Sequence, residues 1–371
     1  MRIGVDITPL TAHRTGVGEY VLHTLERLLP QLSPADSLRG WATGLHAPVA
    51  VPAGMSFRHV PVPTRAAYAL WRGVSRPRVD SLLGGVDVFH AGNFFLPPTA
   101  KARRVLTIYD LAFLIEPHWA SPKIVGPFSR EVPRFAREAD AVVTCSEHSR
   151  RDIVRLCGVA PEKVHVAYGA PDPMFVSQDR AAARALMQAV LGWDDPFILF
   201  VGTLEPRKNL DTLLKAFAHI AKNHPHRLLL VGAMGWNMGH LPSLIEQLGL
   251  TQRVSMPGYL PSRRDLVAAY SATDLFVLPS HYEGFGLTLA EAMACGCPAV
   301  ASNTSSLPEV GGEAVRYFPP QEVEELSRIM EELLASPERH SAMAEKAREQ
   351  AKRFNWDETA SRILAVYRSL A

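Results

Sequence analysis

The chain is 371 residues long, 47% hydrophobic and 20% charged, with 39 Lys and Arg against 37 Asp and Glu. That length has room for two domains of ordinary size, and the composition is that of a soluble globular protein. A net charge of +2 excludes the strongly basic balance of a nucleic-acid-binding protein. No run of about eighteen continuous apolar residues is present to span a membrane. The charge is uneven: residues 1–178 hold 20 basic and 15 acidic side chains, the remainder 19 and 22. A basic half joined to an acidic half points to an anionic partner for one of them.

In chain order, "MRIGVDITPL" reads as a first strand and not as a signal peptide. Short apolar runs follow at Val86–His90, Arg104–Ile108, Ala141–Cys145 and Val164–Tyr168, with helical stretches between them. The pattern falters at "YGAPDPMFVSQ", where prolines and a glycine interrupt it, and a helix over Asp179–Leu191 restarts it. Strands are then expected at Phe197–Gly202, Arg227–Val231, Val254–Met256, Leu275–Leu278 and Pro298–Ala301. Continuous Val/Ile/Leu runs alternating with helices indicate parallel strands covered on both faces. The expected architecture is α/β: two Rossmann-like domains facing across a cleft, residues 1–176 and 177–354. A final helix over 355–371, with Asn355 as its cap, would pack back on the first domain.

The cysteines, Cys145, Cys157, Cys295 and Cys297, have no accompanying CxxC pair or histidine cluster, so zinc is not expected. Cys295-Gly-Cys297 reads as a buried turn, and free thiols fit a reducing cytoplasm.

The stretch "EGFGLTLAE" carries the strongest chemistry. Glu283 follows a strand and a Pro-Ser turn, Gly284–Gly286 form a second turn, and Glu291 lies about one and a half turns into a helix. Glycines let the backbone come close to a ligand, and helix-start N–H groups with the dipole behind them suit a phosphate. A carboxylate on either side can hold sugar hydroxyls. The competing reading is an ordinary strand–helix turn with surface glutamates. In "VGTLEPRKNL", Arg207 and Lys208 precede a helix with Asn209 as its expected cap, and supply countercharge for a diphosphate or form a solvated basic turn. Tyr259 in "PGYLPSR" lies in a third loop after a strand, where it could meet a nucleobase.

In the first half, "RTGVGEY" brings Gly16 and Gly18 close behind the first strand but lacks the third glycine of a dinucleotide fingerprint. Asp110 in "TIYDLAF" and His90 in "VFHAGN" stand past strand ends, where a turn or capping role competes with catalysis. Ser146 in "TCSEHSRRD" reads as a helix cap. No Asp-x-Asp stands at a strand end, so no metal is required by the pattern.

The ordered set "TIYDLAF", "CSEHSRRDI", "GTLEPRKN", "PSHYEGFG", "ASNTSSLPEV" and "FNWDETA", with Glu283 and Glu291 as E-x7-E, resembles the family-four, or group-one, nucleotide-sugar glycosyltransferases over nearly the whole chain. It resembles especially the mannosyltransferase-like branch of surface-polysaccharide synthesis. The resemblance implies the GT-B arrangement, an acceptor site in the first domain, a donor site in the second and a retaining reaction without a required metal or cofactor. It implies that Arg207 and Lys208 meet the diphosphate, that Glu283 and the Gly284, Phe285, Gly286, Leu287 and Thr288 backbone meet donor sugar and phosphates, and that Glu291 meets the ribose. Gly16, Gly18, Thr203 and Tyr259 complete the candidate donor contacts, and Asp110 joins Glu283, Arg207 and Lys208 as a catalytic candidate. The donor would be a nucleoside-diphosphate sugar, GDP-mannose first, and the acceptor a glycan or lipid-linked sugar. Where the family commonly carries His-Asp, this chain has Tyr109-Asp110, so a histidine role there does not transfer to Tyr109. A sugar-nucleotide epimerase and a non-catalytic nucleotide-sugar binding protein are the alternatives.

Last, "TRAAYALWRGVSRPR" interleaves Arg65, Arg72, Arg76 and Arg78 with Tyr68 and Trp71. On a helix, these suit an anionic membrane surface, or else a solvated helix whose Trp71 packs inward.

Overall fold

The computed structural model describes residues 1–10 and 15–371. The chain divides into two compact units. One holds Met1–Ile115, Pro122–Gly169 and Asn355–Ala371; the other holds Glu116–Ser121 and Ala170–Phe354. Residues 170–176 pack with the second unit, because Asp172 pairs with Arg263 at 2.8 Å and Phe175 meets Tyr270 edge-on.

The first unit is built on a seven-stranded sheet: β1 Arg2–Asp6, β2 Ser37–Thr43, β3 Ser56–Val60, β4 Val88–Ala91, β5 Arg103–Thr107, β6 Ala141–Thr144 and β7 Val164–Val166. Their order is β3-β2-β1-β4-β5-β6-β7, and every pair is parallel. The second has six: β8 Phe197–Val201, β9 Arg227–Val231, β10 Val254–Gly258, β11 Leu275–Leu278, β12 Ala299–Ser302 and β13 Arg316–Phe318, in the order β10-β9-β8-β11-β12-β13, again all parallel. Central strands such as "FILFV" are buried at every residue, as a sheet covered on both faces requires. In each sheet the order reverses at one place, between β1 and β4 in the first unit and between β8 and β11 in the second. Ligands of doubly wound sheets bind beyond the strand ends at that point.

Three strands were not expected from the sequence. The edge strand β3 is largely exposed, and β2 carries Arg39 and Gly40, so neither shows an unbroken apolar run. β13 is only three residues long. Local chemistry sets the helix starts. Asp179, Ser146 and Asn355 each accept a hydrogen bond from a backbone N–H three residues on, capping Arg180–Leu191, Glu147–Cys157 and Trp356–Leu370. Asn209 does not act as expected. It precedes the helix Leu210–Ile220 with φ +54°, but its amide donates to the carbonyls of Pro279 and Pro320 and its Oδ1 accepts from Thr212. Its side chain ties loops together in place of capping.

The final helix, Trp356–Leu370, belongs to the first unit. Trp356 meets Tyr20 edge-on, Thr359 donates to the Tyr168 carbonyl at 2.6 Å, and the Tyr367 hydroxyl lies 2.6 Å from His90 Nδ1. All four cysteines are free and buried, with Cys295 and Gly296 forming the turn that ends the helix Leu287–Ala294. Among the described residues, no helix is long and apolar enough to cross a membrane.

Thr64–Val74 forms a helix, but its aromatic residues face inward. Trp71 is buried with its indole N–H on the Pro77 carbonyl, and Tyr68 stacks flat on Phe95. Arg72 forms a bidentate pair with Glu131. These rings pack within the unit; Arg65, Leu70, Arg72 and Val74 are exposed on the helix, and Arg76 and Arg78 are exposed just beyond it.

Candidate active site

Because β8 and β11 are neighbours, residues 202–209 and 279–291 leave the second sheet side by side at its reversal point. Close backbone approach is part of this arrangement. A Cβ on Gly232, after β9, would fall 2.1 Å from the Gly202 carbonyl oxygen. Only glycine lets the ends of β8 and β9 meet so closely.

Glu283 and Lys208 are buried and Arg207 nearly so, with 17% of its side chain exposed, so neither the surface-glutamate nor the solvated-turn reading holds. Lys208 Nζ donates to Glu283 Oε1 at 2.6 Å, and Arg207 Nη1 donates to Oε2 at 2.8 Å. Ser280 Oγ also donates to Oε1 at 2.6 Å. These occupy three of the roughly four lone-pair positions of the carboxylate. Burial alone would raise the Glu283 pKa. The charges of Lys208 and Arg207, with hydrogen bonds from Lys208 and Ser280, outweigh it and hold the group at about 2.

Arg207 is clamped from the other side. Its Nε and Nη2 donate to Glu205 Oε1 at 3.0 and 2.7 Å, and Nη1 also reaches the Tyr282 carbonyl at 2.7 Å. Two carboxylates and two cations thus form a compact, charge-balanced cluster. Glu205, Ser280 and Tyr270 were missed from the sequence. For Glu205 the only signal was an acidic residue two before Arg207; the others carry none.

The turn after Glu283 is fixed by its surroundings. Gly286 has φ +95°, and a Cβ there would come within 2.8 Å of Leu307. Ser306 Oγ donates to the carbonyls of Glu283 and Phe285, and Ser305 Oγ accepts the Glu283 N–H. The Phe285 ring packs edge-on against Phe354, so only its backbone is available to a ligand. Gly284 is buried, whereas Leu287 and Thr288 are half-buried at the start of the helix. Glu291, five residues into that helix, is buried and accepts from the Tyr270 hydroxyl at 3.1 Å. Burial and then the Glu291 charge push the Tyr270 phenol well up, so it remains a donor. Thr203 is half-buried in the loop after β8, and Tyr259, 72% exposed, extends from the end of β10.

The first unit places its candidates differently. Gly16 and Gly18 lie in the first turn of the helix Gly16–Leu28 and not in a loop, with Thr15 accepting the Gly18 N–H; Arg14 of the same motif lies outside the described residues. His90 lies within β4, neither past a strand end nor in a cap. It is buried between Tyr367 and Thr107, and burial lowers its pKa to about 3. Asp110 accepts the Ala112 N–H at 3.0 Å in a local turn. Tyr109 is buried with its hydroxyl on the Gly92 carbonyl.

Two parallel-sheet α/β units, with cations and carboxylates gathered at a sheet's reversal point, define the GT-B class of fold. HepE from Anabaena, solved with UDP-glucose, shares that fold with a TM-score of 0.76 at 19% identity over 100% of both chains. Residues 16–174 match "Glycosyltransferase Family 4" and residues 185–350 match "Glycosyl transferases group 1". The O-antigen chain mannosyltransferase B of Escherichia coli is 32% identical over 287 residues, covering 76% of this chain and 74% of that protein. A D-inositol 3-phosphate glycosyltransferase of Xylanimonas cellulosilytica is 30% identical over 97% of this chain and 93% of its own length. The chain belongs to the group-one, family-four glycosyltransferases and is a transferase enzyme. The epimerase and binding-protein alternatives give way to that assignment.

Proposed function

We propose that this glycosyltransferase moves a hexose, mannose first, from a nucleoside-diphosphate donor to a glycan or lipid-linked acceptor with retention of configuration. The observation that carries the donor site is the buried Arg207–Lys208–Glu283 cluster at the reversal point of the second sheet. The diphosphate takes hydrogen bonds from Arg207, Lys208 and the Gly284–Thr288 backbone. Glu283 uses its remaining acceptor position for a sugar hydroxyl, and Glu291 holds the ribose. Thr203 flanks the phosphates and Tyr259 meets the base. Gly16 and Gly18 remain candidate ligand contacts at the start of the helix Gly16–Leu28.

The bond from the sugar C1 to the diphosphate oxygen breaks, and the acceptor oxygen bonds to C1 from the same face. The acceptor proton passes to the leaving phosphate. Arg207 and Lys208 stabilise the charge growing on that phosphate, a term that is often the largest in catalysis. No metal or organic cofactor is required in this reading, because the two cations supply the countercharge. Asp110 is a candidate on the acceptor side.

Mannose is the first choice because a relative is named a mannosyltransferase. The inositol-phosphate name of another relative favours, as a second reading, a phosphorylated polyol acceptor. The four free cysteines favour a cytoplasmic setting. Peripheral contact with anionic lipid would use Arg65, Arg76 and Arg78 with Leu70 and Val74.

The test is incubation with GDP-mannose, UDP-glucose and other nucleotide sugars, with and without EDTA, against glycan, lipid-linked and inositol-phosphate acceptors. Glycoside plus nucleoside diphosphate from GDP-mannose, undiminished by EDTA, is the expected product pattern. Transfer from UDP-glucose alone, loss of turnover on chelation, or inverted product would each overturn the corresponding part of the reading.

A further inference from the structure

Residues Glu116–Ser121 follow a helix of the first unit in sequence, yet they pack within the second unit, and the chain re-enters the first at Pro122. The short turn Pro117–Trp119 lies against the turn Pro206–Lys208, which carries both cations of the cluster. The Trp119 ring stacks on His281, with centroids 5.4 Å apart and planes within 5° of parallel. It also lies over Tyr282, at 6.4 Å and 30°. These two residues immediately precede Glu283. The His281 N–H donates to the Arg207 carbonyl at 2.8 Å, and the Tyr282 carbonyl accepts from Arg207 Nη1 at 2.7 Å. Thr304 Oγ1 holds the His281 carbonyl at 3.1 Å.

The Pro117–Trp119 turn therefore adjoins both loops that build the cluster, with the Trp119 ring on the 281–282 side. Its backbone, in contrast, takes no part in the second sheet. A turn that adjoins two loops restricts their relative motion.

We propose that Trp119 is a positioning residue for the donor site: stacked on His281, it holds the 281–283 turn against the 206–208 turn and so sets the geometry of Arg207, Lys208 and Glu283. The inference rests on the reading of that cluster as the diphosphate site. It makes the donor site of the second unit depend on a residue from the first half of the sequence.

The Trp119 ring covers one face of His281. Burial lowers the pKa of this imidazole, and no charged neighbour contributes to the shift. The charged groups on the adjoining loops are Arg207, Lys208, Glu205 and Glu283, which are engaged with one another, and on the Trp119 segment Glu116 and His118, which pair at 2.7 Å. Removing Trp119 admits water to His281 and lets its pKa return toward the ordinary value near 6.5. A cation then forms beside the diphosphate site in mildly acidic solution.

The experiment measures nucleoside-diphosphate affinity by calorimetry, and turnover, for wild type, Trp119→Ala, Trp119→Phe and Arg207→Ala between pH 5.5 and 8. Trp119→Ala is expected to bind GDP and UDP about three- to tenfold more weakly at pH 8, the size of a lost aromatic pair. Its affinity should recover relative to wild type as pH falls through the histidine range, and Trp119→Phe should restore both the affinity and the flat pH profile. Should Trp119→Ala fail to fold, His281→Ala removes the other ring of the stack and must reproduce the pH 8 loss. Unchanged affinity in folded Trp119→Ala, while Arg207→Ala binds weakly, overturns the Trp119 role and leaves the cluster reading intact. Unchanged affinity in Arg207→Ala overturns the cluster reading itself. A loss in Trp119→Ala with no pH-dependent recovery and no rescue by phenylalanine marks a general structural defect and also sinks the proposal.

Discussion

The two sheets of this enzyme share an architecture and treat their reversal points in opposite ways. In the second unit, the ends of β8 and β11 hold four charged side chains, Glu205, Arg207, Lys208 and Glu283, in mutual contact. In the first unit, β4 and β5 near the reversal hold a neutral network, His90 between Tyr367 and Thr107 with Tyr109 on the Gly92 carbonyl, and the single buried carboxyl at the end of β1, Asp6, accepts the Thr8 N–H and has its pKa raised by burial. Burying charge is costly unless each charge is paired, and a neutral hydrogen-bonded network avoids that cost. The difference teaches where polyanion chemistry belongs. A balanced cluster of fixed charges can exchange some of its internal partners for phosphate oxygens. A network of satisfied neutral groups offers a ligand little and serves to anchor the final helix.

The sharpest way to break this contrast is at Glu283. Glu283→Gln should lower transfer by at least about a hundredfold, the scale for removing a preorganised electrostatic contact. It should also cost about 3 kcal/mol of stability, because Arg207 and Lys208 lose the charge between them. Turnover and urea melts measured on one preparation separate the two effects, and near-native turnover in folded Glu283→Gln would remove the residue from the mechanism.

Next come the cations. Arg207→Ala and Lys208→Ala are each expected to weaken nucleoside-diphosphate binding by roughly 1–3 kcal/mol, the range for hydrogen bonds to charged groups. His90→Gln is the counterpart in the first unit, and it should leave that affinity unchanged. A His90→Gln protein with weakened diphosphate binding would blur the distinction between the two sites.

The pH dependence of stability distinguishes them as well. The His90 pKa is lowered in the fold, so the unfolded chain binds the extra proton first. Stability tied to His90 is full above about pH 6.5 and lost as pH falls toward about 3. Glu283 is held low, so its contribution persists down to about pH 4.5 and is lost as pH falls toward about 2. His90→Gln should therefore flatten the stability profile between pH 6.5 and 4.5, and Glu283→Gln should flatten it only below that. Chemical denaturation across this range tests the order, and a reversed order would contradict the assigned environments.

The smallest expected effect concerns the surface of the first unit. With Tyr68 and Trp71 turned inward and Arg72 tied to Glu131, lipid contact would fall to the exposed Arg65, Leu70, Val74, Arg76 and Arg78. Flotation with anionic liposomes at low salt should be weak, with about 1 kcal/mol at stake per basic residue, and should drop in Arg65→Ala/Leu70→Ser/Val74→Ser. Unchanged flotation in that variant would move the contact elsewhere.

Much of the scaffold was legible in the sequence because central parallel strands need unbroken apolar runs. "FILFV" and "LFVL" show this directly, whereas β3 does not, since an edge strand is free to expose alternate residues. The spacing of Glu283 and Glu291 around a glycine turn was equally visible, because a positive φ at Gly286 is a local demand. Local reading failed where distant backbone competed. Asn209 has the chemistry of a cap, but the carbonyls of Pro279 and Pro320 take its amide. Tyr68 and Trp71 have the look of an interfacial pair, but Phe95 and the Pro77 carbonyl draw them inward. By itself, then, the sequence determined the alternation of strands and helices, the glycine turns and the residue types of the cluster, all of which depend on neighbours a few positions apart. Only the tertiary structure decided that Glu283 is buried, that Glu205 clamps Arg207 and that Ser280 and Lys208 share one carboxylate oxygen. The Arg207–Glu283 and Lys208–Glu283 contacts join residues some seventy-five positions apart, brought together because β8 lies beside β11, and the local Glu205–Arg207 and Ser280–Glu283 contacts complete a cluster that no local pattern encodes.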